Sequence, residues 1–165
     1  MSVKKIVTMI FCFNVLLLSA QKNIDQVLRK YKNDEGVINM NFTGEILKMI
    51  NSSDKKIRSN VELVDIVVFQ KNQDVNSEDK VEIQNVLSKD KFDLLINVKN
   101  KTQKIQLYAV DAGEYLNKVY AHVNSGDINA YFVLSGKIIF EELAKLGLDF
   151  QNGDSLKILE KVGRK

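Results

Sequence analysis

The chain has 165 residues, with 24 Lys and Arg against 21 Asp and Glu, one His, one Cys and no Pro. This near balance excludes the strong basic excess of a nucleic-acid binder, and one His with one Cys excludes a metal centre built from several imidazoles or thiolates. The length suits one ordinary domain with its own core, and nothing in the composition calls for a cofactor.

At the start, Lys4 and Lys5 precede an apolar run from Ile6 to Leu18, and small Ser19 and Ala20 stand before polar Gln21. That order is a cleavable signal peptide over residues 1–20, cut between Ala20 and Gln21. Crossing the hydrocarbon core takes about 20 apolar residues, and this run is shorter and broken by Asn14, so an uncleaved anchor is the weaker alternative. Bulky Leu18, third from the cut, lets the site slip by a residue or two. Cys12 lies inside the apolar run, without the small residues of a lipoprotein site, and leaves with the leader. The mature chain is therefore expected to be free of thiols, disulfides and a lipid anchor, and to work in the periplasm, at the cell surface or outside the cell. Loss of Lys4 and Lys5 leaves 22 basic against 21 acidic residues, a formal charge of +1.

After the leader, Asn23 and Gln26 are spaced as a capping pair, and Ile24, Val27, Leu28 and Tyr31 recur at helical spacing. Residues 32–36 end this helix, and Ile38, Met40 and Phe42 then alternate with Val37, Asn39 and Asn41 as in a half-buried strand. Thr43 starts a second helix with Ile46, Leu47 and Ile50 on one face, and polar residues 51–60 read as a loop. From Leu63 to Phe69 both faces are apolar, with Val64, Ile66 and Val68 opposing Val67 and Phe69, which predicts a central strand covered on both sides. Asn76 or Ser77 opens a helix to about Lys89, with Glu78 and Asp79 at its positive end and Ile83, Val86 and Leu87 facing the core.

Four strand-like runs follow, Asp93–Lys99, Lys104–Val110, Leu116–Asn124 and Ile128–Ser135, and short turns make them an antiparallel meander. Asn124–Asp127 is its clearest turn, and Ser135, Gly136 and Lys137 read as a strand end and turn. A helix with Ile139, Phe140, Leu143 and Leu146 on one side stops at Gly147, and a last helix runs from about Ser155 to Val162. The predicted fold class is α+β: a largely antiparallel sheet, two strands alternating with helices and then a four-strand meander, with helices packed mainly on one face. Residues 21–165 form one domain on this reading.

A mature part that opens with a short helix ending at Tyr31, and leads through Glu35, Gly36 and Val37 into a strand, resembles an exported domain-of-unknown-function family of Bacteroidota. The likeness continues at Lys91–Leu95 and in Gly136–Leu146, and covers nearly all of the mature chain. The junction of Ala20 and Gln21 is similar to export junctions common in that phylum. The resemblance implies an exported or envelope-attached protein and supplies no chemistry. Many such relatives carry a lipid anchor, and this chain departs from them by having no Cys at the cut.

Strand alternation puts Tyr108, Lys118, Tyr120, His122 and Tyr131 on the face opposite Leu107, Val119, Ala121 and Phe132. Three tyrosines on an outward face suit a binding surface, since a phenol offers a large ring and a hydroxyl at small entropic cost. Cross-strand aromatic pairing on a solvated sheet is the ordinary account of the same pattern. Lys99, Lys101 and Lys104 cluster at one hairpin tip and suit an anionic glycan or lipid headgroup, or simply a charged tip that discourages edge pairing. As a general base, His122 would need an orienting acid and a hydroxyl such as Ser125 or Ser135, and Asp111, Glu114 and Asp127 are the turn acids to consider.

The sequence thus points to a non-enzymatic envelope protein that holds a protein, peptide or glycan partner on its sheet face. A small periplasmic hydrolase using His122 is the competing expectation, and a regulatory envelope component the third.

Overall fold

The computed structural model describes residues 23–46, 58–126 and 128–143. The first helix, α1 (Ile24–Arg29), begins where the sequence places it, because Asn23 and Gln26 form a reciprocal box. The Gln26 backbone N–H donates to Asn23 Oδ1 at 2.9 Å, and the Asn23 N–H donates to Gln26 Oε1 at 3.1 Å. The Asn23 N–H is satisfied this way and the Gln26 N–H gains an acceptor besides the Asn23 carbonyl, and the short helix buries Ile24, Val27 and Leu28. It ends before Tyr31, which lies in the turns that lead to β1 (Val37–Thr43).

A helix begins at residues 44–46, and the remainder of that predicted helix lies outside the described residues. β2 (Asn60–Phe69) starts earlier than the apolar run suggests, because Asn60 and Val61 pair with Lys137 and Gly136. The longer helix, α2 (Ser77–Lys89), is capped by Asn76, whose Oδ1 accepts from the Asp79 N–H at 2.7 Å. The meander follows as β3 (Asp93–Lys99), β4 (Gln103–Asp111), β5 (Leu116–Ser125) and β6 (Ile128–Ile138). Among the described residues the result is a six-stranded sheet of order β1-β2-β6-β5-β4-β3, every pair antiparallel, with few helices.

Two sequence expectations need correction. Gly136 and Lys137 do not form a turn; they lie inside β6, which runs on to Ile138. Gly136 has φ +124°, and a Cβ there would stand 2.4 Å from the Asn60 carbonyl oxygen, so only glycine lets β6 lie this close to β2. Phe140–Glu142 form a 3-10 turn rather than the start of an α-helix, and Leu146, Gly147 and the last predicted helix lie outside the described residues.

One face of the sheet gathers Ile66, Phe132, Ala121 and Leu107 with Val64, Leu134 and Val119, all fully buried, and Leu143 joins them from beyond the 3-10 turn. The other carries Val67, Phe69, Tyr120 and Tyr131, which cluster with Ile24, Val27 and Leu28 of α1 and Ile83, Val86 and Leu87 of α2. Each such side chain removed from water is worth about 1.5–3 kcal/mol, so these two clusters dominate the stability.

Buried charges fix how the helices sit. Asp79 on α2 is 4 % exposed; its Oδ2 accepts from the Tyr31 hydroxyl at 2.5 Å and its Oδ1 pairs with Lys30 Nζ. Tyr31 also accepts from the Asn76 N–H, and its ring meets Phe69 edge-on, so one residue joins both helices and the sheet. Burial, with the Asp79 carboxylate beside it, pushes the Tyr31 phenol up to about 12. The second strand is not apolar throughout, because buried Asp65 interrupts the helix-side row and pairs with Lys32 Nζ at 2.6 Å.

A bulge lies between Leu94 and Ile96 in edge strand β3, where Leu94, Leu95 and Val98 are exposed. No helix among the described residues is long and apolar enough to cross a membrane.

Candidate functional site

The antiparallel register lines up side chains in rungs across the helix-side face. One rung reads Val67, Tyr131, His122, Gln106 across β2, β6, β5 and β4. The rung on one side reads Val133, Tyr120, Tyr108, Leu94, and the rung on the other reads Asn129, Asn124, Lys104, Lys99. Polar residues therefore increase toward the β3–β4 hairpin tip.

Over this end of the face lies a cleft of about 740 Å³. Its floor includes Tyr120, His122, Tyr131, Gln106 and Asn124; Lys80, Ile83 and Gln84 of α2 form one wall, and residues 99–104 form the other. A cavity of this size accommodates a ligand larger than a simple ion.

The face is not an open one, contrary to the expectation from alternation. Tyr120 and Tyr131 are 3 % and 2 % exposed, because α1 and α2 bring their apolar rows down onto it. Their rings are taken up by neighbours: Tyr131 stacks on His122 with centroids 4.4 Å apart and meets Phe69 edge-on at 5.7 Å, while Tyr120 lies between Tyr108 and Tyr131. Burial pushes both phenols far above their ordinary range, so both stay neutral donors. Tyr108 packs beside Tyr120 and its oxygen accepts from Gln106 Nε2 at 3.3 Å, but it does not line the cleft. Lys118 is not part of the cleft either. It stands at the far end of β5, 3.9 Å from Asp90, beside a smaller cavity of about 200 Å³.

Asp74, in the loop between β2 and α2, is the acid that sequence spacing does not reveal. Its Oδ1 accepts from the Tyr131 hydroxyl at 2.5 Å and from the Val75 N–H at 2.8 Å, and Lys80 Nζ lies 2.6 Å from its Oδ2. Burial opposes its ionisation, yet these donors outweigh burial and hold the carboxyl below its usual range. The loop is pinned by buried Asn129, whose Nδ2 donates to the Gln73 carbonyl at 2.8 Å and whose Oδ1 accepts from Asn124.

His122 Nε2 is buried at the cleft floor and has no hydrogen-bond partner among the described residues. Burial lowers its pKa, Lys104 and Lys80 act in the same sense, and the Asp74 charge and the Asn129 amide oppose them. The ring is thus neutral at neutral pH.

The hydrolase set does not assemble around it. Ser125 is an odd-numbered neighbour of His122 on β5 and occupies the opposite face, and Ser135 pairs with Lys118 at the other end of the strand. Thr102 lines the cleft, but its hydroxyl is bonded to Asn100 Oδ1. Asp111 ends β4 and Glu114 lies in the β4–β5 connection, both at the opposite end of the strands from the cleft, and Asp127 lies outside the described residues. Among the described residues, no group of three or more His, Cys, Asp or Glu could hold a metal ion.

Lys99, Lys101 and Lys104, read from sequence only as a tip cluster, all line the cleft. None of them has a carboxylate within ion-pair distance among the described residues. No family model, curated protein or solved structure matches this chain.

Proposed function

We propose that this protein is an exported envelope component that works as a non-enzymatic binding module, holding a protein, peptide or glycan partner in the cleft between α2, the β3–β4 hairpin tip and the sheet. The observation that carries this reading is His122 Nε2, a polar atom buried at the floor of a large cleft with no hydrogen-bond partner among the described residues. Leaving such an atom unmet costs about 1–3 kcal/mol, a cost that a bound partner relieves. Against the hydrolase alternative stands the chemistry of Asp74, whose oxygens are already engaged by Tyr131, Val75 and Lys80 and so are not spent on orienting His122.

The reading also takes the N-terminal leader as removed, the likeness to the exported Bacteroidota family as genuine, and the fold as α+β with its helices mainly on one face. The packing of both α1 and α2 against the Tyr131 side of the sheet supports the last point.

The cleft is tested with Gln106→Glu and Lys104→Glu, since neither residue is in the buried core. Partners crosslinked to the exported protein in cells are expected to fall away in both variants while the circular dichroism spectrum is kept. Unchanged crosslinking with an intact fold would sink the cleft as the binding site. Mass spectrometry of the exported chain is expected to find Gln21 as its first residue, and retention of Met1–Ala20 would overturn the location.

A further inference from the structure

Among the described residues, the charge in the cleft that lacks an ion-pair partner lies on the hairpin side. Lys99 and Lys104 are direct cross-strand partners, and Lys101 lies between them in the chain at the hairpin tip. Like charges placed opposite one another destabilise a strand pair. Among the described residues, Lys80, the fourth lysine of the lining, is matched by Asp74, the one carboxylate of the lining, and the other three lysines have no carboxylate within ion-pair distance. An anion seated between the hairpin tip and α2 would meet these three ammonium groups and relieve their mutual repulsion.

The rest of the lining narrows the class of anion. Gln84, Gln106 and Asn124 contribute side-chain amides, groups that both donate and accept as hydroxyl-rich ligands require, and Asn100 adds its amide N–H groups, its Oδ1 being taken by Thr102 and Gln103. β4, β5 and β6 each pair on both edges, so the floor offers no free strand edge to an extended peptide. Nor does it offer an unoccupied tyrosine face to a flat base, because the Tyr120 and Tyr131 rings are buried against their neighbours.

Resting on the binding-module reading above, we infer that the ligand of this cleft is a short acidic saccharide, a sugar chain bearing carboxylate or sulfate groups. Lys99, Lys101 and Lys104 take its charges, the side-chain amides take its hydroxyls, and a turn of the His122 ring brings the buried Nε2 to one polar group at the floor. Neutral imidazole offers that nitrogen as donor or acceptor according to tautomer, so either a hydroxyl or an anionic oxygen satisfies it.

The test titrates the exported protein calorimetrically with tetragalacturonate, with a heparin-derived tetrasaccharide, with neutral maltotetraose, with tetraglutamate and with inorganic sulfate. At least one acidic tetrasaccharide is expected to bind, more weakly as salt rises, while maltotetraose, tetraglutamate and sulfate bind at least tenfold more weakly. Combining Lys99→Gln, Lys101→Gln and Lys104→Gln is expected to cost roughly ten- to hundredfold in affinity, since each exposed charge contact is worth up to about one kcal/mol. Because His122 is the only histidine, its ring signals in a long-range proton–nitrogen spectrum need no assignment, and Nε2 is expected to shift on saturation.

Equal binding of maltotetraose, binding of sulfate alone at the same strength, or saccharide binding that leaves the Nε2 signal unmoved would each overturn the inference. So would silence from both acidic saccharides at millimolar concentration. Tight tetraglutamate binding lost in the lysine variant would overturn the saccharide and leave the binding module standing. Silence from every probe, with crosslinked partners indifferent to cleft variants, would remove both.

Discussion

Tyr131→Phe isolates the contact that ties the Asp74 loop to the sheet. The ring stays, so its packing against Phe69 and His122 is retained, and only the hydroxyl that donates to Asp74 Oδ1 at 2.5 Å is lost. A hydrogen bond to a charged acceptor contributes about 1.5–3 kcal/mol. Asp74 keeps Lys80 and the Val75 N–H, and its side chain is 23 % exposed, so water can take part of the vacated site. The lower half of that range is therefore expected, about 1.5–2 kcal/mol, equivalent to a fall in Tm of roughly 3–8 °C for a domain of this size. Urea unfolding followed by circular dichroism at pH 7 measures it, and a cycle with Asp74→Ala should return a coupling of about 1 kcal/mol or more. The sign with pH is fixed. The carboxyl of Asp74 is held below its ordinary 3.8, so its stabilisation is present above that pH and disappears as pH falls through the folded value. The gap between parent and variant should close over the same interval. A variant as stable as the parent at pH 7, or a gap that persists once Asp74 is protonated, would refute the link.

Three further outcomes are expected. Glu142, 1 % exposed, accepts from the Ser59 N–H at 2.7 Å, the Ser59 hydroxyl at 2.8 Å and the Arg58 N–H at 3.0 Å, so Glu142→Gln should destabilise by about 2–4 kcal/mol in urea unfolding, and a loss below about 1 kcal/mol would contradict this role. His122 has a depressed pKa, so its contribution is present above pH 6.5 and is lost as pH falls through the lower folded value; His122→Gln should flatten the stability profile there, and an unchanged profile would argue against burial of the ring. Gly136→Ala should cost about 2 kcal/mol or more, because its Cβ meets the Asn60 and Glu62 backbone; thermal melting checks this, and a neutral result would mean that β2 and β6 separate easily.

Alternation was enough to divide Leu107, Val119, Ala121 and Phe132 from Tyr108, Tyr120, His122 and Tyr131, because period-two patterning survives any change in what lies above the sheet. What covers each face is a tertiary fact, and so an expected open tyrosine face is instead packed beneath two helices. The site acid was hidden for the same reason: Asp74 and Tyr131 are 57 positions apart, and no local spacing joins them. Asp79 sits where a helix dipole favours an acid, and that local role concealed its burial against Tyr31 and Lys30. Ser135, Gly136 and Lys137 have turn composition, but pairing with β2 overrides local preference and carries the strand through them. The lysine tip was legible as a cluster, whereas the cleft that gives it meaning requires α2 to be placed opposite.

Edge strand β3 also bears on how the protein behaves at high concentration. Its exposed Leu94, Leu95 and Val98 would make a regular, flat edge a template for another chain, and the extra residue between Leu94 and Ile96 spoils that template by breaking the repeat along which a second strand would align. Deleting Leu95 would restore continuous pairing with β4 while leaving an apolar edge, and the expected product is a protein that folds but self-associates through β3. The irregularity thus interrupts the exposed edge, and it lies on the strand that ends in Lys99, a residue of the cleft lining.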